Sequence, residues 1–101
     1  MDITQIIAEE LNLAEPIVSK VLSLFAEGNT VPFVARYRKE VTGGLDEVVL
    51  RKIEERNIYL GELLERKDTV TKTIVDQGKM TPELEKNIRD CLSKTELEEI
   101  Y

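Results

Sequence analysis

Histidine is absent from this 101-residue sequence. Its absence removes the commonest general base, the commonest zinc ligand and the Ser/His and Cys/His nucleophile pairs. Any catalysis would depend on carboxylates, lysines or a metal held by oxygen ligands. We therefore predict a protein that is not an enzyme and that has no catalytic residue, no metal site and no cofactor.

Cysteine occurs once, at position 91, so no internal disulfide can form. In a reducing compartment Cys91 is most simply a small buried hydrophobe. The opening residues MDITQIIAEELNL contain neither a cationic segment nor a long apolar run, which excludes a secretory signal and a membrane span there. We predict a cytoplasmic protein with no membrane partner.

Alternating runs of β-branched residues bounded by turn signals are also missing, as are internal repeats and low-complexity segments. Apolar residues recur instead at helical spacing. The prediction is an all-α fold, a helical bundle formed by one domain over residues 1–101. The approximate predicted helices are 3–12, 15–27, 31–40, 46–77, 82–92 and 96–101.

The clearest break in the helical pattern is Thr42-Gly43-Gly44. A glycine pair can cradle phosphate, but this one follows a predicted helix and lacks both the GK[ST] ending and the GxGxxG spacing. We interpret Gly43 and Gly44 as a hinge that needs positive φ ahead of an N-cap at Asp46.

One long helix is predicted after this hinge, with an apolar stripe of Val49, Ile53, Leu60, Leu63, Leu64, Val70 and Ile74. The stripe thins at residues 66–69, so we expect the middle of the helix to project or to await a partner. Leu84, Ile88, Cys91 and Leu92 predict the buried face of the next helix, and Thr95 with Glu98 predicts the cap of the last. Because Leu97, Ile100 and Tyr101 continue an apolar pattern to the last residue, we expect a longer parent protein.

Charge is distributed unevenly in a chain of net charge -6, because residues 36–56 carry +1. Arg36 and Lys39 share a helix face, Arg38 lies between them, and Arg51 and Lys52 would join them if the long helix folded back at the hinge. These five cations are the candidate nucleic-acid-binding residues, and a simple solvated face is the alternative. Phe33 and Tyr37 have helical spacing, which favours core residues over a stacking platform.

Four stretches in order resemble one known family: NTVPFVARYRKEVTGGLDE, LRKIEERNIYLGELLERK, QGKMTPELEKNI and KTELEEIY. The chain from about Leu11 onward is similar to the N-terminal region of the Tex family of bacterial transcription accessory proteins. Members of that family are much longer and bind nucleic acid, chiefly through a C-terminal OB-fold domain. The resemblance implies a helix-turn-helix-like N-terminal part and a signature without a catalytic role around Pro32, Phe33 and Arg36.

Two functions follow as hypotheses. The first is a non-enzymatic N-terminal module that gives structural support and makes auxiliary contacts with RNA or DNA, with the transcription machinery as a further partner. The second is a protein-interaction or intramolecular docking module, in which the middle of the long helix and the Leu97/Ile100/Tyr101 face bind downstream domains of the parent chain.

Overall fold

A computed structural model describes residues 2–100, which form helices, turns and loops and contain no strand. The prediction of an all-α fold is confirmed. Within this range the helices are α1 Ile3–Leu11, α2 Glu15–Ala26, α3 Val31–Tyr37, α4 Lys39–Thr42, α5 Glu47–Asp76, α6 Pro82–Asp90 and α7 Lys94–Ile100.

The described residues divide into two compact units. We call residues 2–58 the N-terminal unit and residues 59–100 the C-terminal unit. Helix α5 contributes its residues up to Ile58 to the first unit and its residues from Tyr59 to the second.

Side-chain caps begin helices α1, α3 and α5 of the N-terminal unit, where a short polar residue precedes apolar periodicity. Asp2 Oδ1 accepts a hydrogen bond from Gln5 N at 3.2 Å, and Asp46 Oδ1 accepts one from Val49 N at 2.9 Å. Each satisfies an amide that has no partner within its own helix. The core of this unit consists mainly of Ile7, Ala8, Val18, Val21, Val31, Val34, Leu50 and Ile53.

The predicted helix 31–40 is interrupted at Arg38, whose φ of -126° and ψ of 32° are not helical. Arg38 ends α3 by donating its amide to Val34 O, and its carbonyl accepts from the amides of Val41 and Thr42 at the start of α4. Gly43 and Gly44 then take φ values of 74° and 87°, a region that L side chains rarely adopt. Their action as a hinge stays a prediction.

The C-terminal unit encloses a second set of apolar side chains, comprising Leu60, Leu63, Val70, Ile74, Ile88, Cys91 and Leu97. Thr81 caps α6 by accepting from Leu84 N at 3.1 Å. Ser93, and not the predicted Thr95, caps α7, because Ser93 Oγ accepts from Glu96 N at 3.2 Å. The helix α7 therefore begins earlier than predicted.

Two ion pairs and one hydrogen bond from a buried lysine hold the C-terminal part of α5 against α6 and α7. The Arg66 guanidinium donates to both carboxylate oxygens of Glu98, at 2.8 and 3.2 Å, and Lys94 pairs with Glu62. Lys67 is only 5% exposed and donates to Arg89 O at 2.9 Å. The expectation that the helix projects around residues 66–69 is therefore wrong.

Four further expectations about burial are wrong. Leu50 is fully buried in the place predicted for Val49, because the inward face of α5 is rotated by one residue at its start. Leu64 and Leu92, predicted to be buried, are 41% and 45% exposed, whereas Leu97 is fully buried inside its own unit. Tyr101, named with the terminal apolar face, lies outside the described residues.

Candidate nucleic-acid interface

Helix α3 turns two valines inward and its aromatic residues outward. Thr30 Oγ1 accepts from Phe33 N at 3.3 Å, and Pro32 occupies the first turn, where no amide donor is needed. Val31 and Val34 are buried, with 3% and 0% exposure. Since each residue turns the helix by about 100°, positions 33 and 37 lie together on a different side of α3.

The two aromatic rings on that side are exposed, Phe33 to 37% and Tyr37 to 54%. Their centroids are 5.1 Å apart and their planes are inclined by 46°. The interpretation of Phe33 and Tyr37 as core residues is therefore wrong. Val31 and Val34, which occupy the inward positions of this short helix, also have helical spacing, so the sequence offered two competing pairs for the interior.

Guanidinium groups lie over both rings. Arg36 Cζ is 5.5 Å from the centroid of Tyr37, and Arg38 Cζ is 5.4 Å from the centroid of Phe33. Both distances are within the range of cation–π attraction. We call Phe33, Arg36, Tyr37, Arg38 and Lys39 the basic-aromatic patch.

The three cations of this patch are not neutralised by neighbouring side chains. Among residues 2–100 no carboxylate lies within ion-pair distance of Arg36, Arg38 or Lys39, although Glu40 is next in sequence. Arg38 Nη1 donates to Tyr37 O at 3.3 Å, which keeps its guanidinium close to the helix end. Arg36 and Lys39 are exposed to solvent. Because the non-helical Arg38 separates them, Arg36 on α3 and Lys39 on α4 do not share one helix face, and that prediction is wrong.

The other two candidate cations, Arg51 and Lys52, lie among carboxylates. Arg51 Nη2 is 2.5 Å from Glu47 Oε1, one turn earlier on α5. Lys52 is exposed beside a groove whose lining includes Glu10, Glu55 and Arg56. Within the described chain no hydrogen bond, ion pair or ring contact joins Arg51 or Lys52 to the basic-aromatic patch.

Arg56, the next cation along α5 after Lys52, has a structural partner. Its Nε and Nη2 donate to the two carboxylate oxygens of Glu10 at 2.8 and 2.9 Å. A bidentate pair of this kind fixes the beginning of α5 against α1. The structure thus separates the predicted cations into a patch without counter-ions on α3 and α4 and a mixed-charge surface on α5.

Lys67 and Glu98, in the C-terminal unit, have shifted pKa values that have structural explanations. Burial lowers the pKa of Lys67, while its Coulombic interactions with Cys91 and Asp90 act in the opposite direction. The hydrogen bond from Arg66 lowers the pKa of Glu98. Neither group belongs to a constellation of nucleophile, acid and base.

The other clefts of the described chain give no stronger indication of a catalytic or binding site than the basic-aromatic patch does. The one between α6 and α7 is lined by Asp90, Cys91, Glu96 and Glu99, and no group of metal-binding side chains occurs among residues 2–100. None of the helices in that range is long and apolar enough to cross a membrane.

Comparisons with known proteins give the family. The family described as "Tex-like protein N-terminal domain" matches residues 1–75. "Protein YhgF" of Escherichia coli is 53% identical over 97 residues, which is 96% of this chain and 12% of that protein. "Transcriptional accessory protein Tex" of Neisseria gonorrhoeae is 46% identical over 101 residues, 100% of this chain and 13% of that protein.

A more distant relative is the human "S1 RNA-binding domain-containing protein 1", 30% identical over 99 residues, which is 98% of this chain and 10% of that protein. The chain therefore spans only about an eighth of the length of the first two relatives. A family match over residues 1–75 and identity across nearly the whole chain lead to one assignment. This chain belongs to the Tex-like family of transcription accessory proteins, through the N-terminal domain of that family.

Proposed function

We propose that this chain is a non-catalytic module of a Tex-like transcription accessory protein and that its basic-aromatic patch contacts nucleic acid. The observation that carries the proposal is the patch itself, in which Arg36, Arg38 and Lys39 have no carboxylate partner within the described residues. The proposal includes a cytoplasmic location and the transcription machinery as a further partner.

Charge distribution supports a local phosphate contact. Residues 2–58 contain ten carboxylates and seven cationic side chains, so the N-terminal unit is negatively charged as a whole. Phosphate would be repelled by most of this surface and attracted only where cations lack counter-ions. Guanidinium groups suit this role because their planar donors match phosphate oxygens.

The relatives' names support the same class of ligand. The Neisseria gonorrhoeae relative is called a transcriptional accessory protein, and the human relative is named for an S1 RNA-binding domain. This chain covers only 13% and 10% of those proteins, so the patch would supplement binding elsewhere in a longer chain. A non-catalytic role is consistent with a sequence that contains no histidine.

The first prediction concerns the patch cations. Replacing Arg36 and Lys39 with alanine should weaken binding of a fluorescein-labelled single-stranded RNA, and of a duplex DNA, by about tenfold or more at low salt. The reason is the loss of two of the three cations that the patch brings together without a carboxylate partner. Fluorescence anisotropy with the 101-residue chain measures the effect.

A matched control removes the same charge elsewhere. Lys20 and Lys86 are exposed and lie outside the patch, so Lys20→Ala/Lys86→Ala gives the same net charge as Arg36→Ala/Lys39→Ala. The control should bind within about twofold of the wild type. Equal losses in both variants, or negligible binding by the wild type, would contradict the proposed contact.

A docking function is the second candidate, favoured by exposed apolar side chains in the C-terminal unit. Leu64, Val75 and Leu92 are 41%, 54% and 45% exposed. The surfaces first expected to dock are engaged internally, since Leu97 and Lys67 are buried. Docking to downstream domains should change little with salt, whereas phosphate binding weakens steeply as salt rises. A pulldown with those domains that recovers no complex would exclude this candidate.

A further inference from the structure

We infer that the ligand of the basic-aromatic patch is single-stranded nucleic acid, held by a base stacked on Tyr37 or Phe33 while the neighbouring cations contact the adjoining phosphates. This inference rests on the proposed function and names its ligand class. Its basis is that two exposed aromatic rings on α3 lie beside cations without counter-ions on α3 and at the start of α4.

Ring exposure separates this patch from one that contacts phosphate alone. A surface that only contacts phosphate needs cations and amides but does not need exposed aromatic rings. In this patch, however, Tyr37 is 54% exposed and Phe33 is 37% exposed. In a duplex the faces of the bases are covered by their neighbours in the stack, whereas in a single strand they are accessible to protein rings. The exposed rings therefore favour a ligand with unstacked bases.

The geometry of the rings limits how a base can bind. Because the planes of Phe33 and Tyr37 are inclined by 46° with centroids 5.1 Å apart, a base cannot insert between them. It can stack on the part of either ring that the neighbouring guanidinium leaves exposed, or on the planar guanidinium of Arg36, which lies 5.5 Å from the Tyr37 centroid. Two rings and three cations define a footprint of a few nucleotides.

Charge on the rest of the unit adds a further constraint. Since the N-terminal unit has more carboxylates than cations, a long and rigid duplex would bring many phosphates close to negative surface. A flexible single strand can place two or three phosphates at the patch and direct the rest of its chain away. This electrostatic argument and the ring exposure favour the same ligand class independently.

Four labelled ligands of equal length test the inference: single-stranded RNA, single-stranded DNA, the DNA duplex and an abasic single strand that has phosphates but no bases. The stacking variant is Phe33→Leu/Tyr37→Leu, which removes both rings while keeping an apolar side chain at each position and the same net charge. We expect it to weaken both base-containing single strands by about tenfold and to leave the duplex and the abasic strand unchanged. Similar affinities for RNA and DNA are expected because base faces are common to both.

The cation variant Arg36→Gln/Lys39→Gln separates this inference from the proposed function. It should weaken all four ligands, because all four carry phosphate. If it does so while Phe33→Leu/Tyr37→Leu has no effect on any ligand, the phosphate contact stands and stacking is overturned. If the wild type binds none of the four, both proposals fail. Circular dichroism of each variant, with helicity equal to that of the wild type, ensures that lost binding is not lost folding.

Discussion

At the residue scale, side chains whose character conflicts with their position are the most informative. Tyr37 is a large ring left in solvent, and Lys67 is a cation placed in the interior. The Lys67 ammonium donates to Arg89 O, one of the carbonyls at the end of α6 that lack an intrahelical partner. Lys67, on α5, thus caps the C-terminal end of α6 and has a structural role. Tyr37 has no comparable structural role.

Stability at alkaline pH should report on Lys67. Burial lowers the pKa of Lys67 in the folded chain below its ordinary value of 10.5, which applies to the unfolded chain. At a pH between the folded-state and the unfolded-state pKa, the unfolded chain therefore binds more protons than the folded chain. The stability of the wild type should therefore rise with pH up to about 10.5, relative to that of a Lys67→Met variant. Urea unfolding from pH 7 upward measures the difference between the two proteins.

The control for this pH series is Lys86→Met, since Lys86 is exposed. Its profile should run parallel to that of the wild type. Parallel profiles for the wild type and Lys67→Met would show that Lys67 is not desolvated in the folded chain, and would contradict its buried position.

At the element scale, local chemistry explains where most helices begin, and tertiary packing explains which faces they bury. The caps at Thr30, Asp46 and Thr81 were predictable because a cap needs only a short polar side chain and an amide three residues later. The break at Arg38 was not, because no glycine or proline marks it.

The face exposed by α3 could not be read from its own seven residues. Val31 and Val34 compete with Phe33 and Tyr37 for the interior, and both pairs have helical spacing. The valines are buried because packing against neighbouring helices favours the rotation of α3 about its axis that turns them inward. Periodicity within α3 alone does not include that packing. The cations of the candidate site were predictable, and the rings beside them were misassigned for this reason.

Glycine substitutions should separate the turn after α4 from the body of α5. Gly43 and Gly44 have positive φ, and a Cβ added to either would meet no atom within 4 Å, so alanine there costs only backbone strain. Gly43→Ala and Gly44→Ala should each destabilise the folded chain by about 1 kcal/mol. Thermal or urea unfolding measures the change.

Gly61→Ala provides the matched control, since Gly61 lies inside α5 and its added Cβ also meets nothing within 4 Å. Alanine has the higher helix propensity, so this variant should be more stable than the wild type by about 0.5–1 kcal/mol. Equal effects of all three substitutions would contradict the left-handed conformation at the glycine pair.

At the scale of the whole molecule, the central claim is that a chain of net charge -6 binds nucleic acid through three local cations. Net charge alone predicts repulsion, while the patch predicts a short-range contact whose strength depends on counter-ion release. Arg51, which is paired with Glu47, and Lys52, which lines a groove together with Glu10 and Glu55, should contribute little to that contact.

The most direct test is the salt dependence of binding to a short single-stranded oligonucleotide. Three phosphate contacts predict a slope of about -2 for the logarithm of the association constant against the logarithm of salt concentration. The Arg36→Ala/Lys39→Ala variant should reduce this slope to about -0.7, and Arg51→Ala/Lys52→Ala should leave it near -2. An unchanged slope in the Arg36/Lys39 variant, or a slope that falls only in the Arg51/Lys52 variant, would contradict the account.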